Sequence, residues 1–202
     1  MRLIAEELTG GRGGETLFSG IAFRLASGEA LIVTGPNGAG KSTLLRTVAG
    51  LLPAESGTVR VEGAEDASVA ANCHYLGHLN AMKTALGVAE NLAFWAAFLG
   101  EARHGIEAAL ERVDLGGLGH LPFGYLSTGQ KRRAAIARLL LSHRPVWLLD
   151  EPTAGLDTAS AEMFAALMKE HLATGGIIVA ATHQALGLVE ARELRLGLTA
   201  HV

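Results

Sequence analysis

The octapeptide GPNGAGKS at residues 35–42 constrains this chain more than any other stretch. It fits the pattern G-x-x-x-x-G-K-[ST]. An apolar run closing on glycine, ALIVTG (30–35), precedes it, and leucines at helical spacing in STLLRTVAGLLP follow it. That context predicts a strand, a tight loop and a helix in succession. Glycines 35, 38 and 40 let the backbone curl until its N–H groups converge on an anion. The helix turns its positive end to the same point. The reading therefore assigns Gly35, Pro36, Asn37, Gly38, Ala39, Gly40, Lys41, Ser42 and Thr43 to a nucleotide. Lys41 is placed to reach its outer phosphates, and the Ser42 hydroxyl to ligate Mg²⁺. A plain glycine-rich turn would not require the full pattern and both flanks together.

The remaining apolar runs extend the same architecture. VWLLDE (146–151) and GIIVAATH (176–183) read as further buried strands, SGTVRVEG (56–63) as a more exposed one, and helical segments lie between them. Residues 83–118 are rich in alanine and leucine at helical spacing. The alternation of strands and helices, with a helical insert, predicts an α/β domain with a mostly parallel core sheet. In such a sheet the carboxylates closing VWLLDE arrive beside the nucleotide. Asp150 is then a metal ligand, and Glu151 the base that activates the attacking water.

LSTGQKRRAAIARLLL (126–141) is a second helix start, since Ser127 and Gln130 stand at capping-box spacing. Two phosphate-facing helix ends exceed what one triphosphate needs, so the second would serve a nucleotide held by another copy. The order of phosphate loop, LSTGQ, DE-terminated strand, AGLD (154–157) and lone His183 resembles the ATP-binding-cassette ATPases over roughly residues 20–185. The resemblance implies an α/β P-loop NTPase cassette in a single domain spanning 1–202, with a mostly parallel core sheet, an antiparallel β subdomain and a helical subdomain inserted at about 83–140. It also implies ATP with Mg²⁺ as cofactors and a head-to-tail pair of cassettes. It implies that Ser127, Thr128, Gly129 and Gln130 meet ATP in trans, with Thr128 where glycine is commoner. It places Asp157 at the dimer seam and His183 at the γ-phosphate. The basic run Lys131–Arg133 reads as a solvated helix face, with contact to nucleotide or partner cassette as the alternative.

Two positions depart from the family's pattern. The adenine-stacking aromatic is expected where this chain has Arg12, whose guanidinium can also stack on a base. A glutamine near the metal is expected at Leu79, 38 residues after Lys41, which leaves His78 and Asn80 as coupling-loop candidates. Within the family, YLGHLNAMKTALGVAENLAFW (75–95) and the stretch from 121 to 157 resemble ATP-binding subunits of cytochrome c maturation systems, the heme-exporter branch. That implies separate transmembrane subunits as partners and a peripheral position on the cytoplasmic face of a bacterial inner membrane. LAFWAAFL (92–99) is the candidate docking surface, or else a core helix. An ATPase subunit for another cargo, such as a lipid or drug, is the alternative.

Composition narrows the remaining classes. A net charge of −3 argues against a general nucleic-acid binder. Cassette ATPases of DNA repair or translation are not expected either, since the sequence shows neither the long inserts of the former nor the paired cassettes of the latter. Mean hydropathy is +0.29, yet no apolar run approaches the ~20 residues that span a bilayer. No signal peptide is expected from the opening MRLIAEELTG, and the single cysteine, Cys73, permits no internal disulfide.

Overall fold

The computed structural model describes residues 1–100 and 105–197, and among these the chain forms eight strands and six α-helices. They group into two compact units. One comprises Met1–Gly77, Arg144–Pro152 and the residues from Met168 onward; the other comprises His78–His143 and Thr153–Leu167.

The first unit holds two sheets. Strands β1 (Arg2–Arg12), β2 (Glu15–Ala26) and β4 (Ser56–Glu62) pair antiparallel in the order β2-β1-β4. Strands β3 (Ala30–Thr34), β5 (Cys73–Leu76), β6 (Val146–Asp150), β7 (Ile177–Ala181) and β8 (Arg192–Arg195) form a parallel sheet ordered β5-β6-β7-β3-β8. Helix α1 (Lys41–Val48) packs on both sheets. Its Leu44, Leu45 and Val48 join Leu3, Leu8 and Leu25 of the antiparallel sheet and Val33, Leu148 and Val179 of the parallel one in a single core. Each such buried side chain contributes about 1.5–3 kcal/mol of transfer free energy.

Every residue of β6 and β7 is buried, as expected of central strands covered on both faces. Strand alternation sorts their side chains. Val146 and Leu148 lie in the core that includes α1, so Asp150, two further on, emerges on the same face. Trp147 points the other way and stacks on His171 at 4.0 Å. His171 lies near the end of α6 (Thr158–Ala173), whose residues from Met168 belong to this unit. Strand β5, and the short helix α2 (Val69–Asn72) before it, are elements the sequence pattern did not mark.

The second unit is helical. Helices α3 (Val88–Leu99), α4 (Ile106–Glu111) and α5 (Thr128–Leu141) pack together around Leu92, Leu110, Val113, Leu115 and Ile136. The helical stretch expected at 83–118 is thus two helices. Residues 83–87 form a turn instead, with Asn91 binding their backbone, and 101–104 lie outside the described residues.

Candidate nucleotide site

Three of the loop glycines have the left-handed φ that their role demands: 137° at Gly35, 85° at Gly38 and 92° at Gly40. Two also allow close approach. A Cβ on Gly35 would stand 2.5 Å from the Leu196 carbonyl oxygen, and one on Gly40 2.9 Å from Leu17 Cβ. The turn closes with Ala39 N–H donating to Pro36 O at 3.2 Å, and α1 begins at Lys41 with Gly40 as its cap. Lys41 is buried. Its ammonium donates to Gly35 O at 2.7 Å and Pro36 O at 3.1 Å, and lies 3.0 Å from His183 Nε2. Phosphate loop and His183, 142 positions apart in sequence, are thereby in direct contact.

Asp150 reaches α1 as its strand face dictates: Ser42 Oγ donates to its Oδ1 at 2.9 Å. A hydroxyl and a carboxylate this close are hard oxygen donors of the kind Mg²⁺ selects, so the residues present fit that ion. Register explains the next pair. Asp150 stands opposite Ala181, so the residues after them, Glu151 and Thr182, meet where β6 and β7 end. Thr182 Oγ1 donates to Glu151 Oε2 at 3.1 Å. Glu151 itself has φ 45°, a strained conformation for a residue with a side chain. Sequence reading missed Thr182, and also Tyr75, whose hydroxyl donates to Asp150 Oδ2 at 3.3 Å. The alternation of β5 alone could have placed Tyr75 on the side of Asp150; nothing in the pattern marks Thr182.

Arg12 lies exposed at the end of β1, opposite Glu15 across a turn through Gly13 and Gly14. Phe18 and Leu17, further along β2, approach the Gly40 end of the loop.

In the helical unit, the capping box is present. Ser127 Oγ accepts from Gln130 N–H at 3.2 Å, and Gln130 Oε1 accepts from Ser127 N–H at 2.9 Å. Gly129 and Thr128 lie against Gly155: a Cβ on Gly129 would stand 3.4 Å from Gly155 O, and one on Gly155 3.2 Å from Thr128 Cγ2. LSTGQ and AGLD are therefore neighbours. Asp157 accepts from Ser160 N–H at 2.8 Å at the start of α6, and this bond holds its carboxyl below the usual range. The basic run is only partly solvated. Arg132 is buried, and Arg133 donates to the carbonyls of Val113 at 3.0 Å and Asp114 at 2.9 Å, because those ends of backbone need donors. In the loop before α3, His78 is exposed, Leu79 is 80% exposed, and Asn80 Oδ1 is buried without a hydrogen-bond partner. Phe94 and Phe98 stack on one another along an exposed side of α3.

No group of three or more potential metal-binding His, Cys, Asp or Glu side chains occurs among the described residues. None of the described helices is long and apolar enough to cross a membrane.

Residues 18–154 match the protein family described as ABC transporter. The chain is 65% identical over 200 residues to the cytochrome c biogenesis ATP-binding export protein CcmA of Mesorhizobium japonicum, covering 98% of this chain and 99% of that protein. It is 63% identical over 199 residues to the protein of the same name from Chelativorans sp., covering 98% of each. Among solved structures it is similar to an ABC transporter ATP-binding protein of Pyrococcus furiosus, with a TM-score of 0.83 at 24% identity over 97% of this chain and 98% of that one. A dimeric ATP-binding cassette in a post-hydrolysis state, bound to ADP and Pi, superposes with a TM-score of 0.82 at 24% identity, covering 96% and 94%. At those identities the structural likeness speaks for the fold.

Proposed function

Because the chain belongs to the ABC transporter ATP-binding family, we propose that it is the ATP-hydrolysing subunit of a membrane complex for cytochrome c biogenesis, the export system named in its relatives. The observation that carries the chemistry is the meeting of Ser42, Asp150, Lys41 and His183 at one loop.

The roles follow from the side chains. Backbone N–H groups of residues 35–43 and the Lys41 ammonium hold phosphate oxygens. Ser42 and Asp150 would hold Mg²⁺, which would supply positive charge to neutralise the phosphates. Glu151 takes a proton from the attacking water, and His183 orients that water and the terminal phosphate. Arg12 stacks on the base. A second copy contributes Ser127, Thr128, Gly129 and Gln130 to the same nucleotide, with Asp157 at the seam between copies, so ATP drives pairing and hydrolysis reverses it. Separate transmembrane subunits dock on the helical unit through His78, Asn80 and the exposed aromatic side of α3. That places the chain peripherally on the cytoplasmic face of the inner membrane. Leu79, lacking any polar group, takes no part in holding the metal.

Glu151→Gln tests the chemistry: the variant should bind ATP and pair, yet lose turnover. Undiminished hydrolysis would sink the assignment. Loss of c-type cytochromes in a deletion strain, restored by the wild-type gene and not by the variant, tests the process; unchanged cytochrome levels would reject it.

A further inference from the structure

Glu151 sits on strained backbone at φ 45°, so its carboxylate is not placed by an ordinary strand geometry. Two bonds fix it to the neighbouring strand end. Its N–H donates to Ala181 O at 2.8 Å, and its Oε2 accepts from the Thr182 hydroxyl at 3.1 Å. Thr182 is 1% exposed, and its Oγ1 also accepts from Gln184 N–H at 3.0 Å. A hydroxyl carries one proton to give, and a carboxylate can only accept. With an N–H arriving from Gln184, the Thr182 proton is directed at Glu151. The chain of donors therefore runs one way, from Gln184 through Thr182 to Glu151.

Thr182 is itself anchored. Its N–H donates to Val33 O at 3.3 Å, on β3, the strand that feeds the phosphate loop. The next residue is His183, 3.0 Å from the Lys41 ammonium. One short segment thus holds the carboxylate of Glu151 through Thr182 and brings the His183 imidazole to the Lys41 ammonium.

We propose that Thr182 is the positioning residue for Glu151: its hydroxyl sets where the carboxylate stands relative to the phosphate loop. The proposal rests on the reading of Glu151 as the base.

The test compares Thr182→Val, Thr182→Ser and Glu151→Gln, alone and with Thr182→Val added to Glu151→Gln. The protein is the full chain with the membrane subunits that co-purify with it. ATP affinity is measured by equilibrium binding and turnover by phosphate release. Thr182→Val should lower kcat roughly 10- to 100-fold with ATP affinity within about 2-fold, the signature of a displaced reacting group. Thr182→Ser, which keeps the hydroxyl, should recover most of the rate. In the Glu151→Gln background the valine substitution should cost nothing further. Should the valine variant fail to fold, Thr182→Ala takes its place in the same comparison. If Glu151→Gln abolishes turnover while Thr182→Val leaves kcat unchanged, or if serine restores nothing, the positioning role is wrong. If Glu151→Gln itself keeps turnover, the failure lies with the base assignment instead.

Discussion

Tyr75 donates its hydroxyl to Asp150 Oδ2 at 3.3 Å, while Ser42 holds the other carboxylate oxygen at 2.9 Å. Arg46 Nε supports the phenol from behind at 3.2 Å. Asp150 is 2% exposed, and its two oxygens are thus held from β5 and α1. Gly77 makes room for this, because a Cβ there would stand 2.8 Å from the Tyr75 ring. Tyr75→Phe removes one donor and keeps the ring. The Mg²⁺ concentration for half-maximal hydrolysis should rise about 3- to 10-fold, the equivalent of one ordinary net hydrogen bond of about 1 kcal/mol. Mn²⁺ binding followed by EPR should weaken in parallel, and metal-free ATP binding should not change. An unaltered metal dependence would mean that the Tyr75 hydroxyl does not help to place Asp150.

Alkaline stability should carry the mark of Cys73. Burial raises this thiol from 9.0 to about 11, with Arg144 opposing in part. In the unfolded chain it ionises first. Its stabilising contribution is therefore complete below pH 9 and is lost as pH rises through about 11. Burial also pushes the Tyr75 phenol upward, so a tyrosine contribution fades above its unperturbed 10.0. Denaturation midpoints should fall more steeply between pH 9 and 11 in the wild type than in Cys73→Ala. Equal slopes would show that the cysteine is not responsible. A thiol reagent at pH 8 should label the native protein only at its unfolding rate.

The phosphate loop, its flanking strand and helix, β6, β7 and the start of α5 were legible because each couples a periodicity to a punctuating residue. Glycine at 35, 38 and 40, the carboxylates ending VWLLD, and Ser127 with Gln130 are all local signals. What was not legible depends on pairing. Strand β5 is four residues long and gains its identity from lying beside β6 in register with it. Thr182 matters because Asp150 and Ala181 are opposite one another, which no spacing along the chain reveals. The basic run misled for a similar reason. Arg132 and Arg133 follow the polar pattern of a solvated face, yet packing of the helical unit draws one inside and turns the other onto carbonyls at 113 and 114.

The loop ahead of α3 is held by two side chains. Asn91 Oδ1 accepts from Lys83 N–H at 2.7 Å, and its amide donates to the carbonyls of Lys83 and Gly87, each at 3.0 Å. Trp95 Nε1 donates to Ala81 O at 2.9 Å, and the guanidinium of Arg138 on α5 lies 4.4 Å from the centre of its ring. Ala81 has φ 56°, which this bond helps to maintain. Trp95→Phe deletes the N–H and weakens the cation–π contact, so stability should fall by about 1–2 kcal/mol. Asn91→Ala removes all of these bonds and leaves the Lys83 N–H without its acceptor, so it should cost more than Trp95→Phe. Both variants should also speed limited proteolysis within residues 78–87. Chemical denaturation and protease mapping check the two effects separately, and an Asn91 variant as stable as wild type would remove it as the clamp.

Gly176 leaves space that another residue needs. A Cβ there would stand 2.3–2.5 Å from three atoms of the His171 ring, closer than any real carbon contact. The ring cannot swing away freely, because its other face lies flat on Trp147 at 4.0 Å and 11°. Gly176→Ala should therefore overpack this side of the sheet and destabilise by about 1–3 kcal/mol. His171→Ala opens the space and carries its own cost, since the stacked ring is lost. The two costs are expected not to add: in the His171→Ala background the alanine at 176 should be nearly neutral, or should even fill part of the cavity. Urea midpoints of the four proteins in this cycle decide the matter. Strict additivity would place the cost of Gly176→Ala in the backbone at the start of β7 rather than against the imidazole.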